Sequence, residues 1–319
     1  MKRLIYFLLL LLVITVLFTS CELFHTTEPE RGKSYALIYG VANYIGPEND
    51  IEPEKLLPDN DLKYTYYDAK DMDKYFIQQG FITETKYNKQ ATKAAMLKDF
   101  GSIRDKANAN DITVFFFAGH GSGPDIGDGQ VFLIPYFSTY PIPSSEIFSD
   151  SALLDELQTI PGKKLLILDI CNSGGFVPEN GVDVDGLPGD YGYTGDPSVF
   201  FQTWDKYLNE ETNTKYKDIW VIGSAGENEL AYEDSSVENG YYTYYLLKSL
   251  GYNHDDYTIS ETIPADRNSD NLITVSEIYN ETFKSFEKNY NDPRSSNYAK
   301  YYSHTSGGAK DLILLDLTL

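Results

Sequence analysis

The sequence predicts an α/β fold, a mainly parallel sheet covered by helices on both faces. Three observations predict it. Several runs are apolar almost throughout rather than at alternate positions, above all Asp111–Ser122 and Lys164–Cys171. Strands of that kind are buried on both faces, as parallel strands must be. Segments with helical periodicity lie between these runs, and the first half of the chain reads β-α-β-α-β-α-β, the rhythm of a wound sheet.

The elements follow in order. Ser34–Tyr44 is the first core strand, and residues 45–61, rich in Pro, Asn, Asp and Glu, form a loop. Asp68–Phe81 reads as a helix: Asp68 sits where an N-cap would, Met72, Tyr75 and Phe76 make an apolar stripe, and Gly80 stops it. Phe81–Tyr87 alternates like a strand, Ala91–Asn108 is a second helix, Asp111–Ser122 a strand, Ser151–Ile160 a third helix and Lys164–Cys171 a fourth strand. Residues 176–217 are acidic, contain Gly and Pro, and show weak periodicity; they read as a long linker. Beyond them come a strand at Asp218–Gly226, helices at Gly240–Gly251 and 274–289, and a last strand at Asp311–Leu317.

The first twenty residues stand apart. Lys2 and Arg3 precede an apolar stretch from Leu4 to Phe18, and Thr19-Ser20-Cys21 follows. A basic start, a short apolar core and small residues at its end describe an export signal over residues 1–20 rather than a membrane span. The segment resembles a bacterial lipoprotein signal, with Phe18 where Leu is more usual, and that resemblance implies lipidation of Cys21 after cleavage. Residues 21–33 then read as a tether, and the mature chain is expected at the bacterial cell envelope, on the membrane through its lipid alone. The competing readings are a retained anchor helix or ordinary secretion.

Composition narrows the partners. The net charge is −22, with 48 acidic against 26 basic residues, so no basic footprint for nucleic acid exists. Such a field favours cationic substrates or calcium, and it also serves solubility. There are two cysteines. With Cys21 lipidated, Cys171 is the sole thiol, no disulfide can form, and a lone thiol in an exported chain points to nucleophilic chemistry or to packing as a small apolar residue.

In an open parallel sheet reactive groups gather at the carboxyl edge. Two apolar strands end in such groups, one in Ala118-Gly119-His120-Gly121 and the other in Asp169-Ile170-Cys171. If these strands are neighbours, an imidazole stands beside a thiol and can take its proton. Of the four histidines, His25 lies in the tether and His254 and His304 in polar, loop-like segments, so His120 alone ends a core strand. The backbone N–H groups of Gly121 and Cys171 are the candidate donors to an oxyanion. Asp169 shares a strand face with position 171 and needs a cation if buried; an internal salt bridge would serve as well as a ligand.

Five stretches together resemble the caspase-like cysteine peptidases: Asp61–Phe76, Phe115–Gly121, Leu168–Gly175, Ile222–Glu233 and Asn239–Leu250. The likeness runs over residues 34–317 and is greater to bacterial caspase-family proteins and metacaspases than to animal caspases, whose Gln-Ala-Cys context is absent. The separation of 51 residues from His120 to Cys171 also fits. The resemblance implies a three-layer αβα sandwich on a mainly parallel six-stranded sheet. It divides the chain into a large-subunit-like part (34–175), the linker (176–217) and a small-subunit-like part (218–317). It implies a His120/Cys171 dyad that needs no cofactor, protein or peptide substrates, and an S1 pocket walled by Asp169, with Asp68 as a candidate second wall, selecting Arg or Lys. The alternative from another class is a catalytically silent calcium-binding surface protein on the same fold.

Calcium enters through Asp266–Glu277. Asp266, Asn268, Asp270, the Leu272 carbonyl, Thr274 and Glu277 fall at positions 1, 3, 5, 7, 9 and 12 of an EF-hand loop, with Asn271 where Gly is usual. No helix is evident before the loop, so the expectation is a half-site; an Asp/Asn-rich turn leading into a helix is the plainer reading.

Overall fold

A computed structural model describes residues 32–44, 62–122, 132–137, 142–172, 216, 218–224, 231–289, 304–307 and 312–318. The expected signal, all but the last two residues of the tether with its Cys21, and nearly all of the 176–217 linker lie outside these residues. Among the described residues no helix is long and apolar enough to cross a membrane.

The central sheet runs β13-β7-β6-β3-β1-β2. Its parallel part consists of β1 (Ser34–Gly40), β2 (Ile82–Tyr87), β3 (Ile112–Ser122), β6 (Lys163–Asn172) and β7 (Ile219–Gly223). β13 (His304–Gly307) closes one edge antiparallel to β7. Two short strands, β4 (Phe132–Leu133) and β5 (Phe148–Ser149), extend the end of β3. Strand alternation sorts the side chains into two cores. Leu37, Tyr39, Phe115, Phe117, Leu166 and Leu168 pack with α2 (Lys93–Arg104) and α3 (Asp150–Gln158). Ala36, Ile38, Val114, Phe116, Leu165 and Ile167 pack with α1 (Thr65–Gln78), α4 (Tyr241–Ser249) and α5 (Val275–Asn289). The result is the expected three-layer sandwich.

Local chemistry sets the helix starts. Thr92 and Ser149 cap α2 and α3, each side-chain oxygen accepting from the amide three residues on. α1 begins without a cap of its own, at Tyr64. Its opening amides are met from far along the chain: Glu233 of β8 (Glu233–Asp234) accepts from Lys63 N at 2.9 Å and Tyr64 N at 2.7 Å. Asp68 therefore lies inside the helix's first turn and is not its N-cap.

Two expectations at the C-terminal end need correction. The apolar run near residue 313 forms β14 (Ile313–Asp316), but it pairs with β12 (Leu272–Thr274) in a separate two-stranded ladder. That pairing packs Leu312, Leu314 and Leu315 in the same core as Ile273. The sixth strand of the main sheet is instead the polar run beginning at His304, which had read as a loop. An edge strand held by backbone hydrogen bonds needs no apolar signature, so nothing in its side chains announces it.

Candidate active site

β3 and β6 are neighbours over their whole paired length, and their register sets His120 opposite Cys171 and Ala118 opposite Asp169. Adjacent strands run about 4.8 Å apart, so the histidine and cysteine positions lie side by side at the carboxyl edge. The Cys171 side chain itself lies outside the described residues. Gly121 is buried and pairs with Asn172 on one side and Leu133 on the other.

His120 is 1% exposed. Its backbone N–H donates to the Tyr44 hydroxyl at 2.6 Å, and that hydroxyl donates to the Ile134 carbonyl at 3.0 Å. The Tyr44 and His120 rings lie 4.6 Å apart. The turn carrying Tyr44 is anchored by Asn88, whose Oδ1 accepts from Ala42 N and Asn43 N. Asn88 takes a left-handed backbone (φ 44°), which Asn tolerates better than most residues. Gly119 is required by close packing, because a Cβ there would meet the Tyr44 hydroxyl at 2.6 Å.

Beside this edge is a small recess lined by Leu62, Thr65, Asp68, Gly119, Asp169 and Glu233 among others. Asp68 and Asp169 are 1% and 5% exposed. Asp169 Oδ2 accepts from Thr243 N (3.2 Å) and Thr243 Oγ1 (2.7 Å) at the first turn of α4, whose N-cap, Gly240, has no side chain. Asp169 thus does for α4 what Glu233 does for α1, and both benefit from the partial positive charge of a helix N-terminus. Asp68 Oδ1 accepts from Gly240 N (2.8 Å) and Asn239 Nδ2 (3.0 Å). Its Oδ2 is buried with no protein hydrogen-bond partner. Burial, and then the Asp169 charge, hold the Asp68 carboxyl well above the usual carboxylate range. Burial raises Asp169 and Glu233 too, against the opposing effect of their hydrogen bonds. Among the described residues no ion pair involves Asp68 or Asp169.

The 266–277 segment leads into α5 and contributes its first turn. Its side chains fold onto their own loop: Asp266 accepts from Asn271 N, Asn268 from Asp270 N, Asp270 from Leu272 N, and Glu277 from Thr274 N and Oγ1. Asn271 is left-handed (φ 63°), as the sixth position of such a loop demands. No group of three or more His, Cys, Asp or Glu residues suited to a metal occurs among the described residues.

The sequence singles out His120, Gly121, Cys171, Asp169 and Asp68, and the fold brings these positions into one neighbourhood. The sequence does not single out Tyr44, Glu233, Asn239, Gly240 and Thr243. The signal for the last three was the run Asn239-Gly240-Tyr241 opening a helix, where a small residue precedes a bulky apolar stripe.

Solved structures resemble this chain. A protein from Geobacter sulfurreducens matches in structure with TM-score 0.51 and 16% identity over 87% of this chain and 95% of that one. Caspase-1 from Spodoptera frugiperda matches with TM-score 0.49 and 11% identity over 87% of each. No curated protein matches the sequence. The family model of the caspase domain matches residues 33–293, from the residue before β1 to just past α5. That span holds the sheet's parallel strands, the His120–Cys171 edge and the acidic recess, and the chain belongs to the caspase-domain peptidase family.

Proposed function

We propose that the protein is a cysteine endopeptidase that cuts after Arg or Lys, with Cys171 as nucleophile and His120 as its base. The observation that carries this reading is the His120–Cys171 register at the carboxyl edge, next to a recess walled by two buried carboxylates. The family is one of cysteine peptidases, so protein substrates follow from membership.

In this scheme His120 takes the thiol proton and the thiolate attacks the scissile carbonyl. The developing oxyanion is met by the backbone N–H groups of Gly121 and Cys171. His120 then protonates the leaving amine, and water hydrolyses the acyl-enzyme with the same imidazole as base. The cationic head of the P1 residue enters the recess, between Asp68 and Asp169. The unpartnered Asp68 Oδ2 supports this assignment, because a buried carboxylate oxygen without a donor is costly until a ligand supplies one. Export and a lipid on Cys21 complete the proposal, on the sequence of residues 1–21 alone.

The test is covalent labelling with a peptide electrophile ending in Arg or Lys. Labelling at Cys171, lost in Cys171→Ala and strongly slowed in His120→Ala, is the expected result. No labelling, with an intact fold, would favour a silent surface protein.

A further inference from the structure

The recess owes its shape to two residues that touch no reacting atom. Gly240 has φ −61° and ψ 138°, a backbone that any residue adopts, so glycine is not there for conformation. It is there for room. A Cβ at position 240 would lie 2.6 Å from Asp169 Oδ2 and 3.1 Å from Asp68 Oδ2. The missing side chain is what lets both carboxylates close on the backbone at one point.

Asn239 is 2% exposed, and its amide Nδ2 reaches Asp68 Oδ1 at 3.0 Å and Asp71 Oδ2 at 3.4 Å. With Gly240 N it directs both protein donors to the same Asp68 oxygen, and Oδ2 stays buried and unpartnered. The pair sits on β9 (Asn239–Gly240), in a hairpin where Gly240 is the register partner of Glu233. Glu233 in turn holds the start of α1, the helix carrying Asp68. One hairpin therefore fixes both the height of α1 and the rotation of its acid.

We infer that Gly240 and Asn239 are specificity-determining residues for basic P1 side chains. Gly240 lets Asp68 and Asp169 converge where one cationic head can meet both, and Asn239 positions Asp68 so that one oxygen is free to receive it. This inference rests on the reading of the recess as the S1 pocket.

Two consequences follow from the chemistry. A methyl group at position 240 hinders a broad guanidinium more than a compact ammonium, so Arg substrates suffer more than Lys substrates. The Asn239 amide favours the ionised form of Asp68, so removing it raises the pH below which cation binding fails. The other groups facing Asp68 are Asp169 from β6, Glu233 from β8 and Asp71 from α1. Asp71 is itself met by Lys74, Tyr252 and His254.

The experiment compares wild type, Gly240→Ala and Asn239→Ser on matched peptides ending in Arg, Lys or Gln at P1, with kcat and KM resolved from pH 5 to 9. For Gly240→Ala, kcat/KM on Arg should fall by at least roughly 30-fold, the low end of the loss when a buried hydrogen-bonded charge pair is broken, and by less on Lys. For Asn239→Ser, KM should rise with kcat largely kept, and the acid limb of kcat/KM should move to higher pH. A merely structural role would not move that limb or split Arg from Lys. If both variants keep wild-type KM, wild-type Arg/Lys ratio and wild-type pH limb, the inference is overturned. If wild type shows no preference for Arg or Lys over Gln, the S1 reading itself has failed. Should Gly240→Ala not fold, Asn239→Ser alone decides.

Discussion

Replacing Asp68 by Asn should make the protein more stable and a worse peptidase. Asp68 and Asp169 are both buried, and both carboxyls are raised above the usual range, first by desolvation. A group whose folded pKa is raised contributes stability that is complete below its unfolded pKa and is lost as pH rises through the folded value. The pair therefore weakens the fold on going from acid to neutral pH. In Asp68→Asn the side chain keeps an oxygen to accept from Gly240 N and Asn239 Nδ2, and its NH₂ takes the place of the unpartnered Oδ2. That NH₂ lies near Asp169 Oδ2, and a small shift of either side chain turns like-charge repulsion into a hydrogen bond. Hydrogen bonds to charged groups contribute about 1.5–3 kcal/mol. At about 2–4 °C per kcal/mol for a large domain, Tm at pH 8 should rise by roughly 3–12 °C, with less gain at pH 5. Thermal unfolding by circular dichroism across that range reads the effect, and cleavage of an Arg peptide by the same samples should weaken through KM. A fall in Tm at pH 8, or a gain identical at both pH values, would refute the account of two acids held in mutual conflict.

The catalytic pair should behave as one unit: Cys171→Ala and His120→Ala each abolish peptide hydrolysis, and the double variant is no worse, as measured by single-turnover kinetics. Tyr44→Phe strands the His120 N–H and the Ile134 carbonyl of their shared partner; it should cost about 1–3 kcal/mol in chemical denaturation and lower kcat. Glu233→Ala uncovers the Lys63 and Tyr64 amides at the start of α1 and should destabilise by about 1–3 kcal/mol, with KM for basic substrates rising as Asp68 loses its fixed height. If Asp266–Glu277 binds calcium, millimolar calcium should raise Tm through binding to the folded form alone, and Asp266→Ala with Glu277→Ala should erase the rise; an unchanged Tm would leave the segment as a turn that caps α5.

What was legible in the sequence is what burial dictates. Strands β3 and β6 carry apolar residues on both faces, because helices cover both, and so their ends and the reactive residues at them could be read directly. The adjacency of His120 and Cys171 needed only the neighbouring of two such strands. Asp68 was visible but misjudged as a helix cap, because the true satisfaction of α1 comes from Glu233, which is 170 residues from Lys63 in the chain. A long-range cap leaves no local spacing to detect. Tyr44 was hidden for a related reason: its partners, His120 N and the Ile134 carbonyl, are backbone atoms, and backbone atoms have no sequence signature. The β13 edge failed on the same ground, whereas β14 was visible by hydrophobicity and misplaced because hydrophobicity does not say which strand will pair with it.

The recess joins these threads. Two helices that would end without caps, α1 and α4, have their N-termini supplied by acids from other elements, Glu233 and Asp169. This arrangement lets carboxylates be buried without cations, since amide donors and helix dipoles offset part of the desolvation cost. Asp68 is the exception. One of its oxygens is satisfied and the other is not, and the residue beside it is a glycine, whose missing side chain lets both acids come close. Natural folds tolerate local instability of this kind where a ligand removes it. A carboxylate pair whose conflict a cationic side chain relieves is a selector by construction. The acidic net charge of the whole chain can draw basic substrates to the surface, but under the proposed function the choice among P1 residues would fall to these few ångströms between Asp68, Asp169 and Gly240.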